Sequence, residues 1–530
     1  MKRGALLLTL VVASFGAACS GGGGGGTTPP PPPLGFSNSS LKGQYAFTMT
    51  GQTFQDPNGP FVARIGTFIA DGNGNITGGV ELVNTASGGL QSFNFQNSGY
   101  QVSSDGRGGL NLTNLTGTLS FSITLVSTTQ GYISQSDGIT STSGTFELQD
   151  SSAFTTNGIN GSYVFDNSGL DPSGNPDSII GQFTLNSGTV SGVFDENDSA
   201  VPTGPQSVTN GTYSFSDTTN GIGTIFFGPF EYDFVVVSNK KMHMIEVPGQ
   251  GSSLPVTVGT ANAQTAPPTT DAGLTGSFAY LVSGVGTNSQ NEKAGRFTTD
   301  GNGNLVTNSL ALDDKQLGSS ITQIPSGTIS AATYTIDTNF SGSGRGTLTF
   351  KDSSKGTFQF IFYMTSPSQG FIQDNGTGLV GDGVIMAQTG GPFTLSTVAN
   401  DYAFNLSGVS LNGTSNFSAE EDFVGHMKFS SATSNNTTGT MDFSELNLLD
   451  PKNDAIHNSV ITGGLTINGD GTNSSGPRNG LTISATNTNG GPSSTFKFTV
   501  YPVNSTTIFL ISQDNDRVTG GAMTVQITPP

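Results

Sequence analysis

Apolar and polar residues alternate along most of this 530-residue chain, in short runs separated by glycine-rich turns. Phe121-Ser-Ile123-Thr-Leu125 is one such run. Tyr232-Asp-Phe234-Val-Val236, Phe358-Gln-Phe360-Ile-Phe362 and Phe496-Lys-Phe498-Thr-Val500 are others. A period of two puts every second side chain on one face of an extended strand, so each run predicts a strand with one apolar face. No stretch carries a sustained helical period.

The runs recur in a fixed order. Four openings share a pattern: Leu41-Lys-Gly-Gln-Tyr45-Ala-Phe47, Ile159-Asn-Gly-Ser-Tyr163-Val-Phe165, Leu274-Thr-Gly-Ser-Phe278-Ala-Tyr280 and Val398-Ala-Asn-Asp-Tyr402-Ala-Phe404. They stand a domain length apart, far longer than a solenoid repeat. The expected division is 39–152, 153–264, 274–390 and 391–530, with 265–273 a Pro-rich linker. In the opening strand, Tyr45, Phe47 and Met49 are expected to line a core while Thr48 and Thr50 face water. Each unit reads as about eight strands joined by short turns. The fold class is therefore all-β: four tandem antiparallel meanders, eight-stranded and barrel-like. A two-sheet, immunoglobulin-like sandwich is the alternative. The barrel loosely resembles lipocalins in architecture, with Tyr45, Tyr163, Phe278 and Tyr402 where that family places a tryptophan.

Composition agrees. Glycine (76) is abundant, charged residues are few (10%) and tryptophan is absent, which suits strands and polar turns better than helices. The 36 Phe and 11 Tyr supply enough apolar area for a core in each unit. The formal net charge of −19 repels phosphate backbones and argues against nucleic-acid binding. One cysteine, Cys19, excludes intramolecular disulfides and Cys-rich metal sites.

That cysteine has its own context. Lys2 and Arg3, an apolar Leu6 to Phe15, and the small residues Gly16-Ala17-Ala18 make residues 1–18 a signal peptide, too short in its apolar part to span a bilayer. Gly16-Ala17-Ala18-Cys19 resembles the lipobox of bacterial lipoproteins, with Gly16 where that family usually has Leu. The resemblance implies a lipidated Cys19 as the mature N-terminus. Ser20 after it implies an outer-membrane lipoprotein, periplasmic or surface-exposed. Residues 19–38 then form a tether: six glycines (Gly21 to Gly26) make it flexible and five prolines (Pro29 to Pro33) stiffen it.

Candidate chemistry is sparse. Asp71-Gly-Asn73-Gly-Asn75 and its copy Asp300-Gly-Asn302-Gly-Asn304 alternate oxygen side chains as calcium loops do. A hairpin turn explains the same residues, since Gly72, Asn73, Gly74 and Asn75 all tolerate positive φ. Metal binding and cofactors are not expected, these six residues being weak calcium candidates. The acidic runs Asp195-Glu196-Asn-Asp198, Asp313-Asp314, Glu420-Glu421-Asp422 and Asp514-Asn-Asp516 read as solvated loops, with weak cation binding at one of them open. His243, His426 and His457 share no metal spacing, and His243 should point away from Met242 and Met244. No G-x-S-x-G, H-E-x-x-H, Walker or G-x-G-x-x-G motif is present, so no catalytic residue is assigned. Any ligand pocket should lie inside a barrel or at its mouth. The expected function is a surface-anchored structural, adhesive or ligand-binding lipoprotein. Its partners would be the membrane, through the lipid anchor, and a polysaccharide, a cell surface or a small apolar ligand. An exported hydrolase acting on a polymer is the alternative.

Overall fold

The computed structural model describes residues 35–53, 61–136, 139–286, 289–376, 378–411, 418–430, 437–446, 456–469, 478–486 and 494–529. The leader, Cys19 and nearly all of the tether lie outside the described residues.

Among the described residues there are four antiparallel sheets and a few 3-10 turns. The second sheet, from Gly161–Leu170 to Val256–Ala263, closes into an eight-stranded barrel. The fourth, from Asp401–Leu411 to Arg517–Val525, does the same. Strands follow one another around each barrel in chain order, which overturns the sandwich alternative. The first sheet has nine strands. It closes because Asn75–Thr85 pairs with Phe61–Asp71 on one side and, at its start, with Ser98–Val102 on the other. Gly89–Asn94 remains as a flap. The third sheet, also nine-stranded, ends on Thr322–Ile324 and Ile329–Ile336 without a ladder between them. A turn fills part of that gap: Asn304 bridges Thr333, and the Tyr334 N–H donates to the Gly303 carbonyl.

The opening motif builds each core. Tyr45, Phe47 and Met49 are buried with Phe68 and Phe146 in the first. Tyr163 and Phe165 sit with Phe183 and Phe227 in the second, and Phe278 and Tyr280 with Phe297 and Phe360 in the third. Tyr402 and Phe404 pack with Phe423 and Phe496 in the fourth. Opposite these rings, the second strand of every unit carries an inward glycine. A Cβ on Gly66, Gly181, Gly295 or Gly425 would lie 2.6–2.7 Å from the opening-strand ring, so only glycine fits under it.

The Asp71 and Asp300 loops are turns held by their own carboxylates. Asp71 accepts from the backbone N–H groups of Asn73 and Asn75 and from the Asn75 side chain. The Asn75 amide, then the Asn73 N–H, draw its carboxyl down to about 2. Asp300 repeats the pattern with Asn302 and Asn304. Asp171 makes the same bracket to Ser173 and Asn175, which the sequence reading missed because Pro172 and Ser173 interrupt the repeat. Positive φ falls on Gly72 and Gly74 alone, at 86° and 103°, and not on Asn73 or Asn75 as anticipated. Gly74→Val should therefore cost ~1–3 kcal/mol by chemical denaturation, whereas Asp71→Asn should leave the melting temperature nearly unchanged in calcium and in chelator. A calcium-dependent rise that Asp71→Asn abolishes would show the loop to be a metal site.

Outward faces are where the structure departs most from expectation. Thr48 and Thr50 are buried, not hydrated. The reason is that the units cover one another. The second strand of each unit lies against the last three strands of the next: Phe61–Asp71 on the second barrel, Pro176–Asn186 on the third sheet, Gln290–Asp300 on the fourth barrel. Ser418–Phe429 of the fourth then lies against the last three strands of the first. The same head-to-tail contact repeated four times returns to its start, so the units form a closed ring.

Candidate functional site

The seams of the ring place charged residues at recurring positions. On the third strand of units two, three and four, Asp195, Asp313 and Asp442 pair in register with Ile180, Ala294 and Val424, the outward residues just before the inward glycines. Each aspartate meets an arginine of the following unit. Arg345 grips Asp195 with two nitrogens, at 2.7 and 2.8 Å. Arg478 reaches Asp313 at 3.2 Å, and Arg107, closing the ring, reaches Asp442 at 3.7 Å. At the seam between the first and second units the same places hold Leu82 and Ile222, both buried in an apolar cluster.

The acidic runs are thus not loops, with one exception. Asp195 and Asp313 are strand residues sealed inside seams, and Glu420 and Asp422 lie on the buried outward face of Ser418–Phe429. Glu421 points into the fourth barrel, where Arg517 meets it at 2.9 Å. Only Asp514-Asn-Asp516 sits in a connection between strands. A fully hydrated carboxylate and one sealed against a neighbouring unit occupy the same polar place in an alternating pattern, so the pattern could not separate them. A signal did exist: Gly106-Arg107-Gly108 and Gly344-Arg345-Gly346 recur, with Gly221-Ile222-Gly223 at the apolar seam.

Two of the three charged seams are capped. The Tyr363 hydroxyl donates to Asp195 at 2.6 Å, and that of Tyr501 to Asp313 at 2.7 Å. At the third, the facing strand Gly117–Ser127 offers Thr124 and Val126 on its outward face, and among the described residues no tyrosine reaches Asp442. The space is a groove of about 370 Å³ between the first and fourth units. Gln101, Ser103 and Ser120 line one side, Asp442, His457 and Asn458 the other. It lies between barrels and not in a barrel mouth as anticipated, because the lumens are filled by the aromatic cores.

Its polar groups form one network. Arg107 bonds Asp105 at 3.0 Å and the Asn458 side-chain oxygen at 3.0 Å. Asp442 accepts from the Asn458 N–H at 2.6 Å and stands 3.8 Å from His457 Nδ1. Asn458 is held at φ 59°, which few residues other than glycine and asparagine adopt. Contact with Asp442 lifts the His457 imidazole above its ordinary range. Burial opposes ionisation of Asp442, but His457, the Asn458 N–H and Arg107 outweigh it and hold the carboxyl low. Among the described residues, no hydroxyl bonds the His457 ring.

The other histidines lie elsewhere. His243 is fully buried, 3.2 Å from Thr260 Oγ1, and faces Glu147 of the first unit at 3.6 Å, while Met242 and Met244 point into the core as expected. His426 faces Asp401 at 3.6 Å. The six calcium candidates sit in two separate turns, Asp71 to Asn75 and Asp300 to Asn304, and none of them lines the groove.

No family model matches the chain, and no curated protein matches it. Among solved structures, a double mutant of the vaccine antigen transferrin binding protein B from Haemophilus parasuis Hp5 is similar over 74% of this chain and 82% of its own, at 12% identity and a TM-score of 0.17. The isotype 1 transferrin binding protein B from serogroup B Neisseria meningitidis is similar over 75% and 84%, at 9% identity and a TM-score of 0.19. Scores this low do not establish a shared arrangement of strands.

Proposed function

We propose that this is an exported, lipid-anchored binding protein in which four barrel-like units form a closed ring presenting a polar groove to a polysaccharide. The groove carries the reading. Its charged groups are already engaged, Arg107 with Asp105 and Asp442 with the Asn458 N–H and His457, which disfavours a strongly ionic ligand. What remains available is amide and hydroxyl chemistry from Gln101, Ser103, Ser120 and Asn458, the groups that hydrogen-bond sugar hydroxyls. Because both ends of the chain build it, the groove exists only in the closed ring. The runner-up, an exported hydrolase, would use the His457–Asp442 pair as a general acid or base and needs a nucleophile or water brought by the substrate complex.

Two measurements test this. Cys19→Ala should move the protein from the membrane fraction to the soluble one, and intact mass should show a lipid adduct on Cys19 of the parent. A soluble parent with an unmodified Cys19 overturns the anchor. On a glycan array, the full chain in detergent should retain a neutral oligosaccharide, and Asn458→Gly, which keeps the backbone conformation, should lose it. Hydrolysis of a bound glycan that His457→Ala abolishes would favour the enzyme.

A further inference from the structure

The polar end of each lumen offers an internal comparison. In the first barrel Arg64 points inward and pairs with Glu81. In the third, Lys293 meets Asp374 at 2.7 Å. In the fourth, Arg517 meets Glu421. Each of these lumens neutralises its buried carboxylate with a cation of its own, as a buried charge requires.

The second barrel has none. Between Gly161 and Ala263 the only basic residues are Lys240, Lys241 and His243. Lys240 is in an exposed turn, and Lys241 faces outward to Glu147 of the first unit at 2.8 Å, with His243 beside it. Counting from the inward glycines Gly66, Gly181 and Gly295, the place of Arg64 and Lys293 is held by Ile179, which is buried in the core. Yet inward acids are plentiful. Asp177 pairs in register with Asp198, Ile179 with Glu196, and Tyr232 with Glu246, and all share the face of Ile179 and Phe194. Asn167, from the opening strand, is fully buried on that face with neither amide atom hydrogen-bonded, and one oxygen of the buried Asp177 is also without a partner. Glu196 and Asp198 are only partly buried, so solvent reaches this end.

We propose that the open end of the second barrel binds a hydrated divalent cation, calcium or magnesium, among Asp177, Glu196, Asp198 and Glu246. The ion supplies the positive charge that Arg64, Lys293 and Arg517 supply in the other three lumens. Among the described residues no three acidic or histidine side chains stand close enough to hold a bare metal, so the ion keeps part of its water shell, as magnesium commonly does. The unpartnered Asn167 amide and Asp177 oxygen are groups such waters would satisfy.

Terbium is the probe, because the chain lacks tryptophan and Tyr232 points into the site. Tyrosine-excited terbium emission from the full chain should saturate and be displaced by calcium or magnesium. Calcium or magnesium should also raise the melting temperature. Both effects should vanish in Asp177→Asn. Ile179→Lys, which installs the missing cation, should lose terbium emission and melt near the cation-loaded parent. The Asp71→Asn, Asp300→Asn double variant should keep both effects. No saturable emission from the parent overturns the site, and so does emission that survives Asp177→Asn. If Ile179→Lys does not fold, Asp177→Asn alone decides.

Discussion

Replacing Asp195 by alanine should destabilise the protein by ~3–5 kcal/mol, the cost of leaving a buried charge without its partner. Asp195 takes two bonds from Arg345 and one from Tyr363, all across the seam between the second and third units. Its side chain is fully buried, and that of Arg345 nearly so. Removing the carboxylate strands a guanidinium and a phenol in a packed interface. Arg345 keeps Asp337, at 2.8 Å, which limits the loss but does not replace the bidentate grip. Asp442→Ala should cost much less, because its arginine is 3.7 Å away and the groove admits water. Urea denaturation compares them through the midpoint of the first transition, since a four-unit protein need not unfold in one step. The pair Asp195→Ala, Arg345→Met should recover part of the loss. If Asp195→Ala and Asp442→Ala cost the same, the seams do not differ in the way their geometry says.

Much of the fold was readable before the structure. Alternation and the recurring Tyr-x-Phe opening specify strands, because one buried face imposes a period of two and fixes register. Gly72 and Gly74 specify turns for their positive φ. What alternation cannot show is what lies beyond the polar face. Thr48, Asp195, Asp313, Glu420 and Asp422 occupy positions that a lone barrel would hydrate, and the ring buries them all. The candidate site was hidden for the same reason. Arg107 and Asp442 are far apart in the chain and meet only because four equal turns bring the last unit back to the first. His457 was visible as a histidine, but its carboxylate partner belongs to a neighbouring strand and its arginine to another unit.

That burial makes a prediction about pH with a definite sign. A carboxyl whose folded value is raised holds a proton in the native state that the unfolded chain has already released. Stability is then fully present below the unfolded value and is lost as pH rises through the folded one. Burial lifts Asp422 to about 7. Burial, reinforced by Asp422 and Glu421, also drives Glu420 up, and burial does the same to Glu292. On facing strands of the second and third units, burial lifts the Asp166 carboxyl to about 7 against the pull of Lys241, and burial, then the Asp166 charge, pushes that of Asp382 well up. His243 works the opposite way. Burial, then the Lys241 charge, hold it neutral, so the unfolded chain gains a proton below about 6.5 that the fold refuses. Burial lowers His426 as well, and the raised carboxyls outnumber these two imidazoles and remain dominant. The protein should be most stable in mildly acidic solution, near about pH 5, and lose several kcal/mol between there and pH 8. Thermal melts at fixed ionic strength read this directly. Asp422→Asn keeps an acceptor for the Ser141 hydroxyl, which donates at 2.6 Å, while removing the titration. It should raise the melting temperature at pH 8 and hardly move it at pH 5. Asp516→Asn, on an exposed side chain, removes one negative charge from the chain as well and should do neither. A melting temperature that climbs from pH 5 to pH 8 would mean that these carboxylates are hydrated and that the ring is open in solution.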